Sequence, residues 1–212
     1  MKVTIPENIS EITLGQYMAY EELKSKNYEP NAFLRRKINL FTNIPFKDTE
    51  HLTAKDFSYL SNMIDNALSQ DAQFTNIFEM MGIEFGFIPN FDKISIREYA
   101  DICGYANEST QIHNLMAVLF RPITNKKESS YDIMPYNGTE ENAELMKQMP
   151  LHISNGAVFF FLNLTIELEK ATQKYLTLQL LRETKQPKCS PISVGIQRLK
   201  NWLKITYLKL KK

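Results

Sequence analysis

Two ten-residue stretches of this chain are versions of one another. Asn8-Ile9-Ser10-Glu11-Ile12-Thr13-Leu14-Gly15-Gln16-Tyr17 aligns without a gap on Asn90-Phe91-Asp92-Lys93-Ile94-Ser95-Ile96-Arg97-Glu98-Tyr99. Each copy follows an Ile-Pro pair, Ile5-Pro6 or Ile88-Pro89, with one extra residue in the first. In both, a Ser or Thr is followed three residues later by Gln or Glu, the pattern of a capping box, and an apolar residue stands just before the cap, where it can staple onto the first helical turn. The two copies therefore predict two strand-to-helix corners. With them comes the expectation of a small sheet, made from residues 3–5 and a hairpin over 74–88, packed on helices. A repeated corner is architecture, not a site.

The segments between and after the corners read as helices. Apolar spacing and caps predict helices from Thr13 to about Lys26, over 31–42, after Thr53, from Ser95 to about Gly104, and from Ser109 to the Arg121-Pro122 stop. A short helix follows Thr139 and ends near Met149-Pro150, and a long one runs from Pro150 to about Thr184. Residues 74–80 and 83–88 are β-prone runs either side of Met81-Gly82, a hairpin signal. Residues 121–138 read as the one long irregular stretch, a length usually functional or disordered. A basic amphipathic helix closes the chain over 194–210, with Ile196, Leu199, Leu203, Tyr207 and Leu210 on one side. The expected fold class is mainly α, a helical bundle with a small β-hairpin or sheet element. Residues 1–185 form one domain in this reading, and 186–212 the basic C-terminal helix.

Composition narrows the function. Seven glycines in 212 residues are about half the usual share of roughly 7%, which leaves few phosphate-cradling loops and disfavours a nucleotide-binding α/β enzyme. Thirteen Phe and ten Tyr point to a core or an interface built on aromatic rings. The net charge of +1 hides an asymmetry: residues 182–212 carry nine basic residues and only Glu183 as an acid, a local +8, so residues 1–181 sum to −7. A tail of that charge either meets an anionic partner or is a solvated helix face. Cys103 and Cys189 form no framework and fit a reducing compartment. The run 156–164 is too short for a span, which needs about 20 apolar residues. Within it, Phe159-Phe160-Phe161 cover most of a helix circumference, so that helix must be surrounded, by its own bundle or by a partner chain.

No chemical signature emerges. His51, His113 and His152 are isolated, and neither a zinc-type spacing nor a P-loop, Rossmann or nucleophile-elbow motif occurs. His113 falls within an amphipathic helix and reads as an ordinary helix residue. Glu140, Glu141 and Glu144 suit a helix opening, where negative charge meets the dipole. No catalytic residue, metal ligand or cofactor is assigned, and the expectation is a protein that is not an enzyme. Candidate interface residues are Tyr131 and Tyr136 in the 121–138 stretch, and Trp202, Tyr207, Lys200 and Lys204 in the tail, because amphipathic aromatics are enriched where proteins meet.

One further set of residues carries a resemblance. Residues 5–17, Phe85-Gly86-Phe87-Ile88-Pro89-Asn90, Ala117-Val118-Leu119-Phe120-Arg121-Pro122-Ile123, Pro135-Tyr136-Asn137-Gly138, and Met149-Pro150-Leu151 through Phe161 together resemble a family of tailed-bacteriophage morphogenesis proteins of the crAss-like type. The resemblance covers about residues 3–180 and leaves the basic tail outside. It implies a virion structural or assembly role at the head–tail connector or tail, without catalysis, in the virion and, during assembly, in the host cytoplasm. The implied partners are other phage structural proteins, in a homo-oligomer or ring, with no membrane span. Three rivals stand beside it: a tail assembly chaperone missing from the mature particle, an accessory protein binding DNA or membrane through 182–212, and an enzyme whose site carries no recognisable signature.

Overall fold

Both helix starts form with the same turn and capping box, but only the second follows a strand. The computed structural model describes residues 3–180 apart from Asn107 and Ser129. Its helices are α1 (Leu14–Ser25), α2 (Pro30–Phe41), α3 (Ala54–Leu68), α4 (Ile96–Tyr105), α5 (Ile112–Leu119), α6 (Ala143–Met146) and α7 (Leu151–Leu180). Its strands are β1 (Ile77–Met80), β2 (Ile83–Phe87), β3 (Phe120–Lys126) and β4 (Tyr131–Ile133). In the first corner a 3-10 turn at Ile9–Glu11 leads to Thr13, whose Oγ1 accepts from the Gln16 N–H (3.2 Å) while its own N–H donates to Gln16 Oε1 (3.0 Å). In the second, a 3-10 turn at Phe91–Lys93 leads to Ser95, which exchanges the same pair of bonds with Glu98 at 3.1 and 2.6 Å. Each box satisfies N–H groups that a helix start would otherwise leave orphaned.

The first corner also fastens the start of α7. The Leu14 N–H donates to the Met149 carbonyl, the Leu151 N–H to Ile12, and the Gly15 N–H to Lys147, each at 2.8 Å. Ile12, before the cap, is wholly buried, and Ile94 in the second copy is partly so.

The sheet departs from expectation. Residues 3–5 form no strand; the Thr4 N–H donates instead to the Asn43 side chain at 2.8 Å. Three residues that end at a proline offer too few ladder donors to hold an edge. The hairpin partners lie where an irregular stretch was expected: residues 120–133 supply β3 and β4, and the sheet, in the order β1-β2-β3-β4, is antiparallel throughout, two hairpins joined through α4 and α5. The β1–β2 turn has both central residues at positive φ, Met81 at 54° and Gly82 at 76°, the arrangement of the favoured two-residue hairpin. Pro122 stands within β3, opposite Phe85. Its carbonyl accepts from the Met134 N–H (2.9 Å), just beyond the end of β4. The donor that proline lacks therefore faces the end of the ladder and not its middle. Among the described residues the chain is thus a mixed α+β fold in which helices predominate. The expected tail helix over 194–210 lies outside the described residues, as do Trp202, Tyr207, Lys200 and Lys204.

The sheet's inner face and the helices share one core. Phe85, Phe120, Leu14, Ile38, Ile64, Met116 and Leu119 are among its fully buried side chains. α5 is enclosed all round, from Leu115 to Leu119, and runs straight into Phe120 of β3. α7 is less enclosed than its three phenylalanines predicted: Phe161 is buried, while Phe159 and Phe160 are half-buried. Lys37 is buried between α2 and α3, with Nζ 2.6 Å from Asp65 and 3.1 Å from Ser61 Oγ.

α7 comes so near the segment before β1 that only glycine fits at 156. An added Cβ would overlap the Gln73 carbonyl oxygen and lie 3.1 Å from Phe74 Cα, both backbone groups. Gly156→Ala is expected to cost about 1–3 kcal/mol through overpacking, although alanine is favoured over glycine in a helix by about 1 kcal/mol. Gly104→Ala, at a site open to solvent, is expected to gain about 0.4–1 kcal/mol. Thermal unfolding of the two variants beside the parent checks this; a Gly156→Ala protein melting at or above the parent temperature refutes the close approach.

Candidate functional site

A polar cluster joins α4, the start of β3 and the segment after β4. It begins with the second capping box. Glu98 uses Oε2 to accept from the Ser95 N–H, which leaves Oε1 to receive Arg121 Nη2 at 2.7 Å. Both side chains of this pair are under one-tenth exposed. Burial on its own raises the Glu98 carboxyl, but the Ser95 hydrogen bonds and the Arg121 guanidinium outweigh it and hold the group below the usual carboxylate range. Arg121 Nε is buried without a hydrogen-bond partner among the described residues.

Tyr136 lies over this pair. Its ring centroid is 5.6 Å from the Arg121 guanidinium and 5.7 Å from that of Arg97, within the range of a cation–π contact. Its hydroxyl donates to Asp101 Oδ2 at 2.6 Å. Burial first, then the Asp101 hydrogen bond, pushes the phenol well above its ordinary value, so it remains a donor. Nearby, the Tyr105 and Thr139 hydroxyls are 3.1 Å apart. Gly138 has φ +110°, and a Cβ there would meet Arg97 Nη2 at 3.0 Å. With Glu98 held ionised and Tyr136 held protonated, neither is poised to exchange a proton near neutrality. The cluster clamps the 134–139 segment onto α4.

Tyr131, the other candidate of this stretch, is also held from within. Its hydroxyl donates to the Phe87 carbonyl at 2.9 Å, and its ring covers Gly86, where a Cβ would come within 2.5 Å of Cε2. Tyr131 and Tyr136 are half-buried, so each is fixed by the body and offers only part of its ring to a neighbour.

His113 lies in a different place, a cleft of about 550 Å³ between α1 and the start of α5 whose walls include Tyr17, Met18, Glu21, Thr110 and Lys147. Burial, then the nearby Lys147, lowers its pKa and favours the neutral imidazole; Glu144 Oε1 is 4.0 Å from Nε2. His152 is also pushed down by burial, and His51 is exposed at the end of a 3-10 turn at Asp48–His51. Among the described residues no three His, Cys, Asp or Glu side chains come together as a metal site would require. No helix of those residues is long and apolar enough to cross a membrane.

Two features had gone unread in the sequence. One is the Glu98–Arg121 pair, whose members stand 23 positions apart on elements whose packing no local pattern declares. The other was visible as spacing: Ile96, Tyr99, Ala100, Cys103 and Gly104 recur at i, i+3, i+4, i+7 and i+8, and α4 buries Glu98 and Ile102 on its opposite side. This apolar stripe is the outward face of α4. Ile96 is 89% and Tyr99 42% exposed.

Compared with protein families, curated proteins and solved structures, the chain matches none.

Proposed function

We propose that the chain is a non-enzymatic structural or assembly protein of a tailed-bacteriophage particle, docking on other phage structural proteins at the head–tail connector or tail. The observation that carries the docking role is the outward face of α4. A helix on a domain surface normally turns its charged side outward; here the outward stripe from Ile96 to Gly104 contains no charge, and the flanking Arg97 and Asp101 stand to one side of it. Uncharged surface with an aromatic at its centre suits the middle of a protein–protein contact. The phage setting comes from the resemblance over residues 3–180. Tyr131 and Tyr136 suit a rigid anchor at such a contact because their rings are already held; the tail candidates Trp202, Tyr207, Lys200 and Lys204 lie outside the described residues.

Ile96→Lys tests the docking role. At a position this exposed the stability change is expected to stay within about 0.5 kcal/mol, while incorporation into particles falls at least about tenfold, the factor that about 1.4 kcal/mol of lost contact energy gives. Mass spectrometry of purified virions supplies the complementary readout: stoichiometric presence fits a resident subunit, and absence with transient binding to a tail protein fits the chaperone. A second reading rests on the +8 of residues 182–212, which suits an anionic partner such as DNA. Binding of that kind weakens steeply with salt and is lost on deleting 187–212.

A further inference from the structure

The two edges of the sheet are not alike. β4 has only three residues, carries Asp132, is followed by Pro135, and pairs with β3 through an irregular register. Such features protect an edge strand from pairing with another chain. β1, at the other edge, is short but otherwise unprotected: Ile77-Phe78-Glu79-Met80 pairs with β2 in even register, holds no proline or lysine, and has Glu79 as its one charge. The Phe87 N–H donates to the Asn76 carbonyl, so by alternation Asn76, Phe78 and Met80 turn their backbone groups toward β2. Those of Ile77 and Glu79 point away from the sheet, and among the described residues they form no hydrogen bond. Apolar side chains are exposed at both ends of this edge, Phe74 by 37% at one, Met81 by 73% and Ile83 by 45% at the other. Met81 also holds φ 54°, a conformation that asparagine or glycine adopts at less cost.

We infer that β1 pairs antiparallel with β1 of a second copy, about a twofold axis at Phe78, so that two four-stranded sheets become one. A twofold contact uses the same patch on both copies and closes on itself. With the axis at Phe78, Ile77 stands opposite Glu79 of the second copy, and each of the two such pairs exchanges its outward N–H and C=O groups. The ends then complement one another. Met81 comes level with Thr75, and Gly82 with Phe74, of the second copy, so the apolar side chains exposed at one end of the edge meet those exposed at the other. Neighbouring registers do worse. An axis at Glu79 sets two like charges face to face, and an axis at Ile77 pairs Glu79 with Thr75, which lies outside the strand.

An extended segment of a different protein is the competing occupant, since it could use the same unpaired backbone groups. The twofold is favoured because it accounts for both apolar ends of the edge at once. A four-residue edge is small beside the roughly 1,200–2,000 Å² of a standard interface, so the dimer is weak and depends on concentration. The pairing does not depend on the phage reading.

The test uses the full chain with Cys103→Ser and Cys189→Ser as background. One preparation carries Ile77→Cys and another Glu79→Cys, both at side chains on the outer face of the sheet. Opposed residues of a hydrogen-bonded pair have Cα atoms about 5.5 Å apart, within disulfide reach, whereas residue 77 lies beyond the ~7 Å limit from its own symmetry mate. The two preparations mixed and oxidised are therefore expected to give a 77–79 disulfide between chains at least about tenfold faster than either gives a disulfide alone. Equal rates, or no crosslink, overturn the proposal. A second measurement needs no added cysteine. Sedimentation of the parent across a concentration series is expected to show a monomer–dimer equilibrium; a chain that stays monomeric up to about 1 mM, a concentration at which even millimolar affinity shows, overturns it in favour of a different partner. Met81→Asn, which suits the turn better, is expected to melt at or above the parent temperature and yet to dimerise severalfold more weakly. A variant that dimerises as tightly as the parent overturns the register.

Discussion

Arg121→Ala is expected to destabilise the fold by about 3–5 kcal/mol, the usual cost of breaking one side of a buried ion pair. The loss falls on Glu98, whose carboxylate is under one-tenth exposed and would keep its charge with no guanidinium opposite. Removing both charges together should cost far less, since replacing a whole buried pair by groups of similar volume is often close to neutral. The appropriate double variant is Glu98→Gln with Arg121→Met, because glutamine still completes the capping box with Ser95. Urea unfolding of the single and double variants measures the difference. A cost under about 1 kcal/mol for Arg121→Ala would show that the pair is solvated. The pH dependence has a definite sign. The folded Glu98 carboxyl titrates below its unfolded value of about 4.3, so its contribution is complete above that pH and is lost as pH falls through the folded value. The stability gap between the parent and Glu98→Gln should therefore be full at neutrality and close only in acid, below about pH 4.

The same residue explains what could be read from the sequence and what could not. The capping box that Glu98 completes is local: Ser95 and Glu98 are three apart, and the chemistry of a helix start requires little else. Both corners, the helices that follow them and the Met81-Gly82 turn were legible for that reason. The Glu98–Arg121 bond is not local, and neither is the pairing of β2 with β3 that brings Arg121 beneath Tyr136. Residues 121–133 hide their strands because Pro122 argues against a central strand, and only the position of its carbonyl, at the end of the ladder, removes the objection. Residues 3–5 misled in the opposite sense, since alternation over three residues fits a strand but does not supply a neighbour. The outward stripe of α4 was present in the spacing all along. What the spacing lacked was which side of the helix faces the core, and that depends on the sheet.

Phe87→Ala should cost about as much as the loss of Arg121, about 3–5 kcal/mol, through a different mechanism. Phe87 is 3% exposed, and its ring centroid lies 4.9 Å from Phe74, 5.1 Å from Phe120, 5.6 Å from Phe160, and 5.7 Å from both Phe91 and Phe161. These rings come from the segment before β1, from β3, from the second corner and from α7, so a single side chain joins the sheet to the helical layer. The backbone bonds at this position do not depend on the side chain: the Phe87 N–H donates to the Asn76 carbonyl (2.8 Å) and its own carbonyl accepts from Tyr131 (2.9 Å). The strand should survive, and the loss should fall on the junction. Phe87→Leu fills most of the cavity and should cost less than half as much, while each edge-to-face ring pair that it forfeits is worth about 0.5–1.5 kcal/mol. A double-mutant cycle of Phe87→Leu with Phe160→Leu isolates one such pair. Amide exchange gives the spatial test. In Phe87→Ala, protection should drop most in the first turns of α7 and in β2, and least in α2 and α3, which pack on each other. Uniform loss across all helices would mean that the rings do not form a junction, and a cost below about 1 kcal/mol would mean that they are not a core.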